Sequence, residues 1–250
     1  EAATLPITFL TAYYALHHLG RLSRGERVLI HAAAGGVGLA AVQLAQLAGA
    51  EIFATAGSPE KRDYLRQLGV AHVMDSRSLD FARQIMEQTG GRGVDLVLNS
   101  LTGEALRHSF ALLAPYGRFL EIGKRDIYQN STLGLEPFKN NLSFFAIDLA
   151  RVVAERPSLI RTLLDELLPH VEAGRLRPLP LQTFPIAAVA DAFRYMAGAQ
   201  HTGKIVVTHE REHLTVYEHI SRSDIRSDSA YLITGGLGGL GLTVARWLAA

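Results

Sequence analysis

The segment RVLIHAAAGGVGLAAVQLA, from Arg27 to Ala45, narrows the choice of fold more than any other part of the chain. A short β-branched apolar run leads into three alanines, then Gly-Gly-Val-Gly, then a dense run of small and apolar residues. The first run, over 27–33, reads as a buried strand, and the last, from Gly36 to Leu47, as a helix. A loop between strand and helix that holds nothing bulkier than a methyl group is built for close approach, either by a ligand or by packed backbone.

The pattern then repeats. EIFATA (51–56) reads as a second strand, and Pro59 opens a helix that stops at Gly69. AHVMDS, VDLVLNS (94–100) and GRFLEIG (117–123) continue the strands, with LDFARQIMEQTGG and GEALRHSFALLAP as helices between them. LSFFAIDL (142–149) adds one more strand. Such alternation predicts an α/β fold with a doubly wound parallel sheet of the Rossmann type. Beyond Ala150 come an amphipathic helix over 158–174, an extended LPLQTFP, a helix over 187–199 and a closing strand GKIVVT. A charged, weakly periodic stretch over 209–229 reads as a linker. From Tyr231 the chain starts a second strand, loop and helix, YLITGGLGGLGLTVA.

Set against the dinucleotide pattern G-x-G-x-x-G, the first loop reads Ala33-Ala34-Gly35-Gly36-Val37-Gly38, with Ala33 in place of the first glycine. Gly35, Gly36, Val37 and Gly38 are the candidate diphosphate loop. Gly35 admits the pyrophosphate, Gly38 allows close helix–strand packing, and the helix start supplies unpaired N–H groups. The plainer alternative is a set of glycines that only let a helix pack on a strand. An NAD site places an acid after the second strand, on the ribose. Here that stretch reads Thr55-Ala56-Gly57-Ser58-Pro59-Glu60-Lys61-Arg62, with no acid at the strand end. Ser58, Lys61 and Arg62 suit a 2′-phosphate, so NADPH is expected over NADH; an ordinary exposed helical turn is the alternative. Arg77 follows the third strand within reach of an adenosine phosphate, or is a surface arginine. Asn99, Ser100, Gly123 and Lys124 end the fourth and fifth strands, where the nicotinamide half would lie; turn chemistry explains the same residue types.

Composition removes several classes. The chain has no cysteine, which excludes disulfides, thiol nucleophiles and cysteine-ligated zinc. A net charge of +1 gives no general reason to bind nucleic acid. No apolar run approaches the roughly 20 residues of a membrane span. The first residues carry no basic n-region, so a signal peptide is not expected and a cytoplasmic location is. The chain reads as an internal piece of a longer one. His17 and His18 read as inert, and His209 and His213, spaced i, i+4 in the linker without acidic partners, do not suggest a metal site. Tyr13 and Tyr14 are expected to pack the entry helix on the cofactor domain.

Together, EAATLPITFLTAYYAL, VLIHAAAGGVGLAAVQLA, TAGSPEKRDYL, TGGRGVDLVLNSLTGEAL, GRFLEIGKRDI and GKIVVT resemble the enoyl reductase domains of type I polyketide and fatty acid synthases. These belong to the zinc-free, quinone-reductase-like branch of the medium-chain dehydrogenase/reductase superfamily. The resemblance spans about residues 1–208. Thr234-Gly235-Gly236-Leu237-Gly238-Gly239-Leu240-Gly241 resembles the cofactor loop of a short-chain-type ketoreductase, the domain that commonly follows. The resemblance implies four segments: a nucleotide-binding subdomain over 1–174, a return to a GroES-like substrate subdomain over 175–208, a linker over 209–229, and the truncated start of a ketoreductase over 230–250. It places the rest of the substrate subdomain, with a tyrosine proposed as proton donor in some members, before Glu1, and the ketoreductase machinery after Ala250. It implies NADPH-dependent reduction of an enoyl thioester carried on an acyl carrier protein, with other synthase domains in the same chain and homodimerisation left open. By motif, the family's proposed catalytic lysine and aspartate fall on Lys124 and Asp148; a solvated loop cation and a helix N-cap are the plain alternatives. A free-standing quinone or enone reductase and a non-catalytic cofactor-binding scaffold remain open as readings of these residues.

Overall fold

Six strands pair in the order β3-β2-β1-β4-β5-β6, all parallel, in the computed structural model, which describes residues 1–209, 230–233 and 238–249. They are β1 (Arg27–Ile30), β2 (Glu51–Ala56), β3 (His72–Asp75), β4 (Val94–Asn99), β5 (Leu113–Glu121) and β6 (Ser143–Ala146). The helices between them are α2 (Gly36–Ala48), α3 (Pro59–Gln67), α4 (Asp80–Gln88), α5 (Glu104–Ala111) and the single turn α6 (Arg125–Tyr128), with α1 (Pro6–Tyr13) before the sheet. After β6 come α7 (Leu149–Glu155) and α8 (Pro157–Glu172). A smaller parallel pair, β7 (Leu181–Pro185) and β8 (Lys204–Thr208), flanks α9 (Val189–Ala197).

The sheet is buried on both faces, which is why its strands read as continuous apolar runs. Val28, Ile30, Ala54, Leu96, Leu98 and Leu120 belong to one core cluster, shared with Leu39 and Leu44 of α2 and Leu163 and Leu167 of α8. Their neighbours Leu29, Phe53, Val97 and Phe119 belong to the other, with Phe81 of α4 and Phe110 of α5. The period of two thus divides each strand between two cores. His31, just past β1, is buried at 3% exposure and joins Thr55 (2.8 Å) to Ser109 (2.7 Å).

Helix starts follow the sequence. Ser58 caps α3, accepting from the Lys61 N–H at 3.4 Å, with Pro59 at the first helical position. Asp148 caps α7, accepting from the Arg151 N–H at 3.4 Å. Gly49 ends α2 at φ +74°, a left-handed cap. The segment after Gly174 is laced to the sheet domain. Leu179 N–H donates to Thr4 Oγ1 at 3.1 Å, and the Gln43 side chain makes two hydrogen bonds to the Arg177 backbone. The Gly203 N–H donates to the Ala34 carbonyl at 2.9 Å, bridging β8 to the glycine loop.

By contacts the chain divides at Glu210–Arg211, making Glu1–Glu210 one unit. In the second unit, α10 (Gly239–Ala249) forms as expected. The strand predicted at Tyr231–Ile233 does not form: 230–233 carry no strand. Thr234, Gly235, Gly236 and Leu237 of the second loop, and most of the predicted linker with His213, lie outside the described residues. Two other boundaries differ. β1 stops at Ile30, because the chain turns at Ala32 with φ +47°, and α5 stops at Ala111, because residues 113 onward join β5.

Candidate active site

The candidate residues sit at or just beyond the carboxyl ends of the strands, where ligands bind in doubly wound sheets. The glycine loop leaves β1 and turns into α2. A Cβ on Gly38 would lie 2.4 Å from the Ala32 carbonyl oxygen and 2.5 Å from Ala33 Cα, so this position tolerates only glycine. Gly35 is the N-cap of α2 with extended backbone, and Gly36 lies against Thr8 and Lys204. Val37 is half-buried and packs against the core. Gly35 and Gly36 are thus half-buried at the N-terminus of a thirteen-residue helix.

A cleft of about 320 Å³ adjoins it, lined by Gly35, Gly57, Ser58, Lys61, Arg77 and His201 among others. Lys61 Nζ donates to the Ala199 carbonyl at 2.7 Å, tying α3 to the turn before β8. Burial and the neighbouring Arg77 hold the Lys61 ammonium below its usual range. Burial, Lys61 and Lys204 do the same to the His201 imidazole. Groups that discourage one another's positive charge form an anion-attracting surface. Arg62 is not part of that surface: its guanidinium pairs with Asp75 at 3.1 Å and donates to the Ala56 carbonyl at 3.1 Å. Sequence reasoning misses His201; its signal lies in the HTGKIVV run, whose histidine and lysine flank the glycine that meets the loop.

At the β5 and β6 ends, Lys124 Nζ lies 2.7 Å from Asp148 Oδ2. Both side chains remain partly exposed, at 43% and 35%. Their hydrogen bond holds the lysine above its usual range and the aspartate below its own. Asp148 is therefore both helix cap and ion-pair partner, and Lys124 is not a lone solvated cation. A cleft of about 490 Å³ contains the pair, with Tyr14 and Tyr128 on its walls. The sequence alone points to neither tyrosine as a wall of this cleft; Tyr128 stands four residues after Lys124, with its N–H bonded to the Lys124 carbonyl at 2.9 Å. Asn99 is brought near but not into the open. Fully buried, it spends its amide on Glu121 Oε2 (2.5 Å) and the Leu101 carbonyl (2.8 Å). Ser100 is half-buried beside Gly123, whose N–H donates to Glu121 Oε1 at 2.5 Å.

The profile of the zinc-binding dehydrogenase family matches residues 68–207. The chain is 50% identical over 258 aligned residues to a phenolphthiocerol/phthiocerol polyketide synthase of Mycobacterium tuberculosis; the match takes in 100% of this chain and 12% of that protein. Among solved structures it is similar to the CurK enoyl reductase, with 53% identity and a TM-score of 0.76 over 83% of this chain and 61% of that one. It is also similar to the nucleotide-binding subdomain of the enoylreductase domain of PpsC from Mycobacterium tuberculosis. That match has 50% identity and a TM-score of 0.67, over 70% of this chain and 97% of that one. Zinc in proteins takes three or four Cys, His or carboxylate ligands. The sequence has no cysteine, and among the described residues no group of three or more His, Asp or Glu could hold a metal ion. The described residues do not fit a zinc site. They do fit a nicotinamide dinucleotide, through the glycine cradle and the cationic cleft beside it.

Proposed function

We infer the reaction from the family: the chain belongs to the zinc-binding dehydrogenase family, with the enoyl reductase domains of polyketide synthases, and we read it as the NADPH-binding part of such a domain. The substrate is an α,β-unsaturated thioester on an acyl carrier protein, and other synthase domains share the chain. The single observation that carries this reading is the Lys124–Asp148 pair, at the same carboxyl edge of the parallel sheet as the glycine loop.

Gly35, Gly36 and Gly38 would hold the diphosphate, and Ser58, Lys61 and Arg77 the 2′-phosphate of the adenosine half. Bound there, a reduced nicotinamide supplies hydride to the β-carbon of the enoyl group. Charge then develops on the thioester oxygen, and Lys124 is the cation placed to meet it. Because Asp148 keeps Lys124 firmly protonated, electrostatic stabilisation of the enolate suits this lysine better than proton donation, which favours an acid with a pKa near the working pH. Asp148 fixes the ammonium in place, and Tyr128 lines the same cleft.

The test is NADPH oxidation on a crotonyl-type thioester by the complete domain, beside a direct titration of both cofactors. Turnover that needs NADPH and an enoyl thioester is expected. Equal affinity for NADH and NADPH would overturn the cofactor assignment, and no turnover with intact binding would favour a non-catalytic scaffold.

A further inference from the structure

Glu121 is the last residue of β5, 1% exposed, and it faces Asn99 in the final register pair of β4 and β5. A carboxyl group is seldom buried without a task. Its Oε1 accepts the Gly123 N–H at 2.5 Å, and its Oε2 accepts from Asn99 Nδ2 at 2.5 Å. Asn99 Oδ1 in turn accepts the Leu101 N–H at 3.2 Å. The Glu121 carbonyl accepts the Ile147 N–H at 2.8 Å. Lys124 and Asp148 thus each stand one residue beyond a hydrogen bond to Glu121. The fit around Gly123 is close: a Cβ there would lie 2.6 Å from Glu121 Oε1.

We propose that Glu121 is a positioning residue for the Lys124–Asp148 pair, its carboxylate clamping the Gly123 turn against Asn99 so that Lys124 reaches Asp148. This rests on the reading of that pair as the reactive one. Both groups that meet its oxygens, the Gly123 N–H and the Asn99 amide, are donors, and the ionised carboxylate with its two full acceptor oxygens satisfies them best. Protonation of Glu121 turns one of those oxygens into a hydroxyl, removes the charge assistance from both bonds and so weakens the clamp. Burial, with a smaller contribution from Asp126, pushes the Glu121 carboxyl up to about 7. Asp126 and Arg107 of α5 are the other charged side chains on the roughly 340 Å³ cavity that Glu121 floors, whose remaining walls include Leu106, Phe138 and Phe144. The clamp therefore loosens as pH falls through neutrality, and the placement of Lys124 is lost with it.

The experiment has one arm without turnover and one with it. In the 250-residue chain, NMR should show the Gly123 amide titrating with a midpoint near 7, a step that Glu121→Gln abolishes. In that variant the Asp148 carboxyl should move back toward its ordinary 3.8. In the complete domain, Glu121→Gln should lower kcat about tenfold at pH 8, with NADPH affinity within twofold, and should remove the acid limb of the kcat profile. A Gly123 amide that does not titrate, an Asp148 titration unchanged in the variant, or a variant with wild-type kcat and acid limb would overturn the proposal. The wild-type Gly123 titration decides the matter if the variant does not fold. Absence of turnover in the wild type would count against the proposed reaction, with the clamp still judged by NMR.

Discussion

Two buried titrating groups should oppose each other in the pH dependence of stability, and removing either should expose the other. His31 is neutral in the fold. Ser109 Oγ already donates to the Ala105 carbonyl at 2.6 Å, so it must accept from His31 Nε2–H, and Nδ1 accepts from Thr55 Oγ1–H. Burial lowers the imidazole from its ordinary 6.5 to about 3. The unfolded chain then binds more protons than the folded one between those values, so stability falls on acidification through this window. From pH 7 to pH 5 the loss is about 2 kcal/mol, at 1.36 kcal/mol per unit. Glu121 runs the other way. Raised from 4.5 to about 7, its folded carboxyl binds the extra proton. Stability gains about 2 kcal/mol over the same interval and loses it as pH rises through 7. The wild type should be nearly level between pH 5 and 7 as far as these two groups are concerned. Glu121→Gln should lose about 2 kcal/mol on acidification to pH 5, and His31→Gln should gain about as much. Urea unfolding followed by far-UV circular dichroism at fixed ionic strength measures this, and the remaining titratable groups cancel between wild type and variant. Three parallel stability–pH curves would refute the reasoning.

Lys124→Ala in the complete domain should lower kcat on a crotonyl-type thioester tenfold or more with NADPH affinity nearly unchanged, and Asp148→Asn should cost less, as steady-state kinetics with a cofactor titration will tell. Lys61→Ala and Arg77→Ala should each weaken NADPH binding about tenfold and leave NADH binding within twofold, whereas Arg62→Ala, engaged by Asp75, should alter neither; calorimetric titration distinguishes them. Gly38→Ala should destabilise the fold by about 2–3 kcal/mol in urea unfolding, since the neighbours of the new methyl are backbone atoms that cannot swing aside.

The sheet is legible in the sequence because strands covered on both faces must be apolar throughout, and RVLI, EIFATA and VDLVLN are nearly so. The start of α3 is legible because Pro59 marks the first helical position, but the cap that Ser58 provides there is not among the readings of the sequence. The pairing of Arg62 with Asp75 is not legible in the local spacing, since Asp75 arrives through the β2–β3 pairing, a contact that positions along one helix do not carry. Asn99 and Glu121 are harder still. A polar residue at a strand end ordinarily meets solvent or a turn; these two meet each other, and Leu106, Phe138 and Phe144 line the cavity on which Glu121 sits. The distance from Lys124 to Asp148 depends on the register of β5 with β6, in which Glu121 faces Ala146.

The hydrogen bond from Gly203 to the Ala34 carbonyl bears on where this chain can be cut and rejoined. A splice made at Gly174 would part the glycine loop from the strand that braces it, and would sever the lacing of Leu179 to Thr4 and of Arg177 to Gln43. A graft that keeps its glycine loop braced has to carry the donor's residues through Thr208, so that loop and brace travel as one heritable block.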